Sequence, residues 1–434
     1  MNSDSSGMSK RISPSMVALL TGGIDKHYAC ALAKALAFSG ITPDMVGNVE
    51  TNSYEMDGAP DVKLLELYAT LRSGQGFLRK LISYINVYFR LMAYAAGRSP
   101  KTFHILWEYK FPYFDRTLLL LYYKLLGKKI VFTAHNVNRA ERDGVDSRWN
   151  RFTLHVQYRL VDHIFVHTKG MKDQLGSSFG ISQSKVTVIP FGSGGMVPTS
   201  RLTPAEAKQQ LGLGEGKRTV LFFGRIARYK GLDLLVDAFE RVGAHDQSYR
   251  LIIAGEPMPE WAQHWDEVHD TVKSSPVREQ VIEEIRRIAD DEMEIYFKAA
   301  DVLVLPYRQI FQSGVLFMSH SFGLPVIATD LDAFRDDIVE GTNGHLFRPD
   351  DPQDLAETIE RYFSSELFRS LDERRAGIQD SLRASHSWES IARTTGDVYA
   401  RISQSMQLKQ RASSARITRA HLGDEPDAAK SLDS

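Results

Sequence analysis

Two cations, Arg225 and Lys230, lie within Gly224-Arg225-Ile226-Ala227-Arg228-Tyr229-Lys230-Gly231, a stretch that follows an apolar run and opens a helical pattern. Positive charge and unpaired helix amides at one sheet edge are chemistry for a diphosphate. Far upstream, Thr21-Gly22-Gly23 is a glycine turn after another apolar run, able to let a phosphate or a sugar approach the backbone closely. His135, in Thr133-Ala134-His135-Asn136, falls where a third run ends. A fourth loop, Phe311-Gln312-Ser313-Gly314-Val315, leads toward the apolar run Leu324 to Ala328, and no carboxylate occurs between Arg308 and Asp330. What this loop offers a ligand is therefore neutral: the Gln312 amide, the Ser313 hydroxyl and backbone amides at Gly314 and Val315, each hydrogen bond worth ~1 kcal/mol net.

Those residues need a scaffold that brings four loop ends together. Apolar, β-branched runs recur through the first half at Ser15 to Leu20, Phe103 to Tyr109, Lys129 to His135, His163 to Thr168 and Lys185 to Gly192, with helical patterns between them. Continuous runs without alternation are what parallel strands covered on both faces look like. A glycine-rich break at Gly192 to Pro198 precedes a second series, RTVLFFG, YRLIIAGE, ADVLVLPY and LPVIATD. The fold class is α/β, two doubly wound Rossmann-like domains facing a central cleft. The expected division is residues 1–195 and 200–385, then a segment over 386–403 that returns to the first domain. Residues 404–434, rich in Ser, Ala, Arg and Asp, carry little apolar periodicity and read as disordered.

Bulk properties narrow the partners. The chain has 434 residues and a formal charge of -1, but residues 1–200 hold 24 Lys and Arg against 15 Asp and Glu, while the remainder hold 29 against 39. A basic half suits phosphates or an anionic membrane surface. Nucleic acid is not expected, since no arginine-rich tract or aromatic RNA-binding signature accompanies the charge. The segment Phe77 to Arg98 mixes Arg79, Lys80, Arg90 and Arg98 with aromatic and aliphatic residues, as an interfacial helix does; a core-packed helix with snorkelling cations is the alternative. The longest apolar stretch, Thr117 to Leu126, falls short of the ~20 residues that span a bilayer. The single cysteine, Cys30, allows no intramolecular disulfide and no cysteine-based zinc site, so a cytoplasmic, reducing location is expected, peripheral at most to the inner face of a membrane. Asp330-Leu331-Asp332 is a literal D-x-D, but its setting after a parallel strand does not suit a metal pair, and no metal site is expected.

Together, Gly224 to Gly231, His135 after a strand, the Gly22-Gly23 turn and SFGLPVIATD with Gly341 and Asn343-Gly344 downstream resemble the retaining GT-B glycosyltransferases of the "glycosyl transferases group 1" family, over roughly residues 15–403. The resemblance implies a nucleotide-diphosphate sugar as co-substrate, no further cofactor, and a glycan or lipid-linked acceptor. It implies that Arg225 and Lys230 hold the donor diphosphate and neutralise the leaving nucleotide, that His135 lies against the donor sugar, and that Gly22 and Gly23 floor the site. It also implies that the departing phosphate helps deprotonate the acceptor in a front-face reaction. One departure stands out. Family members commonly carry Glu-x7-Glu where this chain has Ile310 and Met318, so Gln312, Ser313, Gly314 and Val315 would have to grip the sugar instead. Two rival functions fit the same shape: a nucleotide-sugar epimerase, which needs carboxylates near the sugar, and a non-catalytic nucleotide-sugar sensor, which does not.

Overall fold

A computed structural model of the chain describes residues 17–48, 62–68, 76–97, 100–192, 200–214 and 216–422, with side chains of the last helix described as far as 405. The glycine-rich break at 193–199, Arg98 and residues 423–434 lie outside the described residues.

Two parallel sheets carry the fold. The first comprises β1 (Val17–Leu20), β2 (Pro43–Gly47), β3 (Lys63–Glu66), β4 (Thr102–Ile105), β5 (Lys129–Thr133), β6 (His163–Val166) and β7 (Val186–Val188), ordered β3-β2-β1-β4-β5-β6-β7. The second comprises β8 (Arg218–Phe223), β9 (Tyr249–Ala254), β10 (Val281–Glu284), β11 (Val302–Leu305), β12 (Val326–Thr329) and β13 (Gly344–Phe347), ordered β10-β9-β8-β11-β12-β13. Both orders reverse direction beside the first strand of the unit, between β1 and β4 and between β8 and β11. In such sheets the crevice for a ligand opens at the carboxyl ends of the strands at that switch point. The sequence runs that lack alternation are buried on both faces, as Val17–Leu20 and Val302–Leu305 show.

Helix Leu232–Gly243 packs through the stripe expected of it: Leu232, Leu235, Phe239 and Val242 are all buried. Its first-turn Asp233 takes a bidentate ion pair from Arg308, 2.8 Å to each oxygen. That pair ties the loop after β11 to the loop after β8.

The two halves share one apolar cluster. Phe191, just after β7, stacks on Phe317 of helix Gly314–Ser321 at 5.6 Å, and Tyr28 of helix Lys26–Phe38 lies 5.2 Å from both Phe191 and Trp388. The chain then crosses back through helix Trp388–Leu422, whose Tyr399 hydroxyl lies 2.6 Å from His104 Nδ1 of β4, while His104 Nε2 lies 2.7 Å from Thr133 Oγ1 of β5. Burial drives the His104 imidazole down to about 3, so the ring is neutral and both nitrogens depend on these partners. Over residues 404–422 the chain is helical where disorder was expected. The helix runs through Leu422, because Gln, Leu, Lys, Arg and Ala sustain a helix by propensity without an apolar stripe.

Replacing Tyr399 by Phe leaves His104 Nδ1 buried without a partner. The expected loss is ~1–3 kcal/mol in a urea unfolding titration; an unchanged midpoint would mean that the crossover helix is held by apolar contact alone.

Candidate functional site

The site is assembled from loop ends on both sheets. On the first, Thr21 closes β1 by donating its amide and hydroxyl to the Val46 carbonyl. The chain then turns through Gly22 and Gly23, at φ 61° and 69°. A Cβ on Gly22 would stand 2.7 Å from the Glu108 carbonyl oxygen and 2.8 Å from that of Trp107, whereas Gly23 faces open space. Gly22 is thus required by packing as well as by φ, and Gly23 is the position free to meet a ligand.

His135 sits one residue beyond the Ala134 amide that extends the pairing of β5 with β6. Its ring stacks flat on Trp107 at 4.2 Å, and its Nδ1 lies 2.9 Å from His167 Nε2. His167 Nδ1 in turn lies 3.2 Å from the Ile189 carbonyl. Burial holds His167 at about 4 and His135 well below the usual imidazole range, so both rings are neutral near pH 7. The carbonyl can only accept, which puts the His167 proton on Nδ1; its bare Nε2 then accepts from His135 Nδ1–H. The chain of donors leaves His135 Nε2 as a lone pair, buried without a partner. A neutral imidazole with a bare nitrogen is suited to accept a hydrogen bond from a hydroxyl.

On the second sheet the loop after β8 carries the cations. Gly231, at φ 65°, ends a short turn, and a Cβ there would fall 2.0 Å from the Pro306 carbonyl oxygen. This close approach seats Lys230 inward. Its side chain is buried, with Nζ 5.4 Å from the Tyr307 ring centroid. Burial first, then Arg142 and Arg225, lower the ammonium to about 8, and no carboxylate counters them. Arg225 is exposed at the head of the loop. Arg142 comes from the first half, its guanidinium 4.3 Å over the Tyr229 ring and its Nε paired with Asp143.

Helix Gly314–Ser321 presents its N-terminus here. Ser313 is its cap residue but makes no side-chain capping bond. Gln312 Oε1 is buried without a partner, and Ser313 Oγ has none beyond its proximity to the Tyr307 phenol. Val315 reaches within 3.6 Å of where a Gly224 Cβ would stand, and Gly314 within 3.9 Å of Phe191 by the same measure. Lys230, the Gln312–Val315 turn, Phe191 and His135 are thus neighbours through successive contacts, with the His135 and Phe191 rings 6.3 Å apart. Gly22 joins them through Trp107, and Lys26 and His27 just beyond the turn meet Asp290 of the second half at 3.6 and 3.1 Å. Ile310 and Met318, half-buried, pack against the shared apolar cluster, so those two positions serve packing. Asp330 and Asp332 both pair with Arg335, at 2.6 and 2.7 Å. Among the described residues no cluster of three or more His, Cys, Asp or Glu is placed to hold a metal ion.

Sequence reasoning overlooked Arg142 and His167. Arg142 sits in a charged run, Arg139 to Asp143, that reads as solvated surface. His167 had a signal: β5 and β6 pair in parallel with Val131 opposite His163, so the same register sets His135 opposite His167.

The profile of "Glycosyl transferases group 1" matches residues 217–365, and that of "Glycosyltransferase Family 4" matches residues 22–192. The chain belongs to the family 4 glycosyltransferases. Relatives include the D-inositol 3-phosphate glycosyltransferase of Streptosporangium roseum, 26% identical over 56% of this chain and 55% of that protein. Mannosylfructose-phosphate synthase of Agrobacterium fabrum is 29% identical over 54% and 52%. The matches span about half the length of these curated relatives. Among solved structures, sucrose-phosphate synthase from Thermosynechococcus elongatus superposes with a TM-score of 0.70 at 18% identity, covering 90% of this chain and 99% of that one. Anabaena HepE in complex with UDP and glucose gives 0.69 at 14%, covering 89% and 100%. The fold of this family 4 glycosyltransferase is GT-B.

A diphosphate beside Lys230 would raise its pKa from about 8. Free protein then loses a proton that the complex keeps, so affinity falls as pH rises above about 8. Calorimetry with UDP across pH ~7 to ~9.5 should show the dissociation constant climbing by up to about tenfold per pH unit. A flat profile would mean that Lys230 does not meet the phosphates.

Proposed function

We propose that this chain is a retaining glycosyltransferase that moves a hexose from a nucleotide-diphosphate sugar to a hydroxyl of a glycan or lipid-linked acceptor, without a metal. The observation that carries the reading is Lys230: an ammonium buried beside two further cations with no carboxylate acting on it. Such a site is costly unless an anion completes it. The charge that appears on a departing nucleoside diphosphate is an anion of the right kind, and fixed cations in a water-poor cleft stabilise it as it forms. Arg225 and Lys230 are assigned to the diphosphate, with Arg142 reaching in from the other half. His135 Nε2 is assigned to a donor-sugar hydroxyl; Gln312, Ser313, Gly314 and Val315 to the sugar and phosphate oxygens; Gly22 and Gly23 to the floor beneath them. The relatives' names supply sugar-phosphate and inositol-phosphate acceptors, and HepE supplies a UDP-bound neighbour. Family membership favours transfer over the epimerase and sensor readings.

The basic half adds a surface. Helix Phe77–Ala96 buries Val87, Tyr88, Leu91 and Ala95 and turns Phe77, Leu78, Ile82, Ile85 and Phe89 outward, the first two 79% and 72% exposed. Leu78, Ile82, Ile85 and Phe89 lie on one helical face, Phe77 is exposed as the first residue of the helix, and Arg79 and Arg90 are exposed beside them. No helix among the described residues is long and apolar enough to cross a membrane. An interfacial helix that brings the acceptor side to an anionic lipid surface accounts for this arrangement, and it would sit at the cytoplasmic face.

With a panel of nucleotide sugars and acceptors, Lys230→Ala should lower turnover ~10²-fold or more, whereas a loss under about threefold in saturating donor would remove the phosphate role. The new glycosidic bond should keep the donor's anomeric configuration by proton NMR, and excess chelator should leave the rate unchanged.

Flotation with vesicles tests the surface separately. Anionic vesicles should retain the protein more than neutral ones, and a Phe77→Ser, Ile82→Ser double variant should be released. Equal binding to both vesicle types would exclude an electrostatic membrane contact.

A further inference from the structure

Behind the Gly22 turn lies a cavity that the donor site does not use. It measures about 30 Å³ and opens among Trp107, Glu108 and Tyr109, at the carboxyl edge of the first sheet beside Leu20 and Ile105. Three buried polar atoms on its lining residues have no partner: Asp115 Oδ1, Gln157 Oε1 and Tyr123 Oη. These side chains are nearly sealed from solvent, with residue exposures of 7%, 1% and 1%. Their other polar groups are held in place. Asp115 Oδ2 accepts the Tyr109 amide at 2.8 Å, the Tyr88 hydroxyl also donates to the Asp115 carboxyl, and Gln157 Nε2 donates to Glu108 at 2.9 Å. Glu108 is itself saturated by Arg116. The remaining walls are Leu20, Leu91, Ile105, Leu119 and Leu120, with Tyr68, whose hydroxyl is held by the Gly22 backbone.

The backbone has been distorted to build this place. The helix from Pro112 to Leu125 widens into a π-turn over Asp115–Leu119, and such turns recur at functional sites because they displace one residue from the regular ladder. Here the displaced segment begins with Asp115.

The volume discriminates among ligands. About 30 Å³ is room for one or two water-sized groups, too little for a sugar ring. A methylene carrying a hydroxyl fits both the volume and the lining: the leucine and isoleucine walls suit the carbon, Tyr123 can donate to the hydroxyl oxygen, and Asp115 or Gln157 can accept its proton. Water would satisfy the polar atoms alone. The cavity also borders the donor side, since Trp107 stacks on His135 and its backbone abuts Gly22.

We propose that this cavity is an acceptor subsite that takes the exocyclic hydroxymethyl group of a hexose, with Asp115, Gln157 and Tyr123 as its hydrogen-bonding groups and Tyr109 and Trp107 at its mouth. The proposal rests on the glycosyltransferase reading for the word acceptor, but the binding chemistry stands on the cavity. Burial raises the Asp115 carboxyl to about 7, so it titrates in an accessible range and reports on what it touches.

The test uses the full chain labelled with carboxyl-13C aspartate, saturated with UDP, with Asp115 assigned from an Asp115→Asn variant. Methyl α-glycosides of glucose, mannose and galactose are titrated at ~100 mM, enough to fill a site of millimolar dissociation constant. A hydroxyl donated to the carboxylate lowers its pKa, so at least one hexoside should move the Asp115 midpoint down while its 6-deoxy counterpart does not. Tyr123→Phe and Gln157→Leu should each weaken that effect about fivefold or more. The proposal is overturned if no hexoside moves the Asp115 resonance, which would leave a water-filled cavity, or if the 6-deoxy sugars move it equally. UDP affinity, measured in the same samples, judges the donor reading on its own.

Discussion

A buried ammonium on which no carboxylate acts among the described residues is the constraint around which this cleft is arranged. Lys230 is kept inward by the close approach of Gly231 to the Pro306 carbonyl, over the Tyr307 ring. Two arginines add to the charge instead of relieving it. Asp233 and Asp350 pair with Arg308, and Asp143 pairs with Arg139 and with Arg142 itself. The positive field is left for an anion that arrives with the ligand, and desolvation makes that field stronger than the same charges would give on an open surface.

The rest of the architecture serves to aim neutral groups at the same place. His135 is fixed by a donor chain that starts at the Ile189 carbonyl and passes through His167, and flat stacking on Trp107 sets its plane. Because both imidazoles are held neutral by burial, they add no charge to a region already rich in cations. The turn before helix Gly314–Ser321 contributes an amide and a hydroxyl and no carboxylate, and Ile310 and Met318 pack against the shared apolar cluster. Polarity at this edge is thus divided: positive on one loop, neutral on the others.

The interdomain contact decides whether these groups can act together. Phe191 on Phe317, Tyr28 between Phe191 and Trp388, and Tyr399 on His104 tie both halves and the returning helix into one apolar body. Polar contacts between the halves include Lys26 and His27 on Asp290. Trp107 both lines the small cavity beside Asp115 and stacks on His135, so one residue borders the two regions.

Much of this was legible in the chain itself. Nine buried strands announce themselves as continuous apolar runs, since a strand covered on both faces needs no polar side. The four other strands among the described residues lie at or beside sheet edges, and in Lys63–Glu66 and Val281–Glu284 polar residues that are not fully buried erase the pattern. Local order also fixed the Gly224–Gly231 loop, the Gly22 turn and His135 at strand ends, because glycine placement and strand termination are properties of adjacent residues. Only the folded chain could decide that Arg142 lies over Tyr229 beside Lys230, that His167 orients His135, and that Asp115, Tyr123 and Gln157 face one small cavity. Each of these depends on side chains distant in sequence meeting in space. Whether a charge ends up solvated or buried, and whether a polar atom finds a partner, is set by packing that no local pattern encodes.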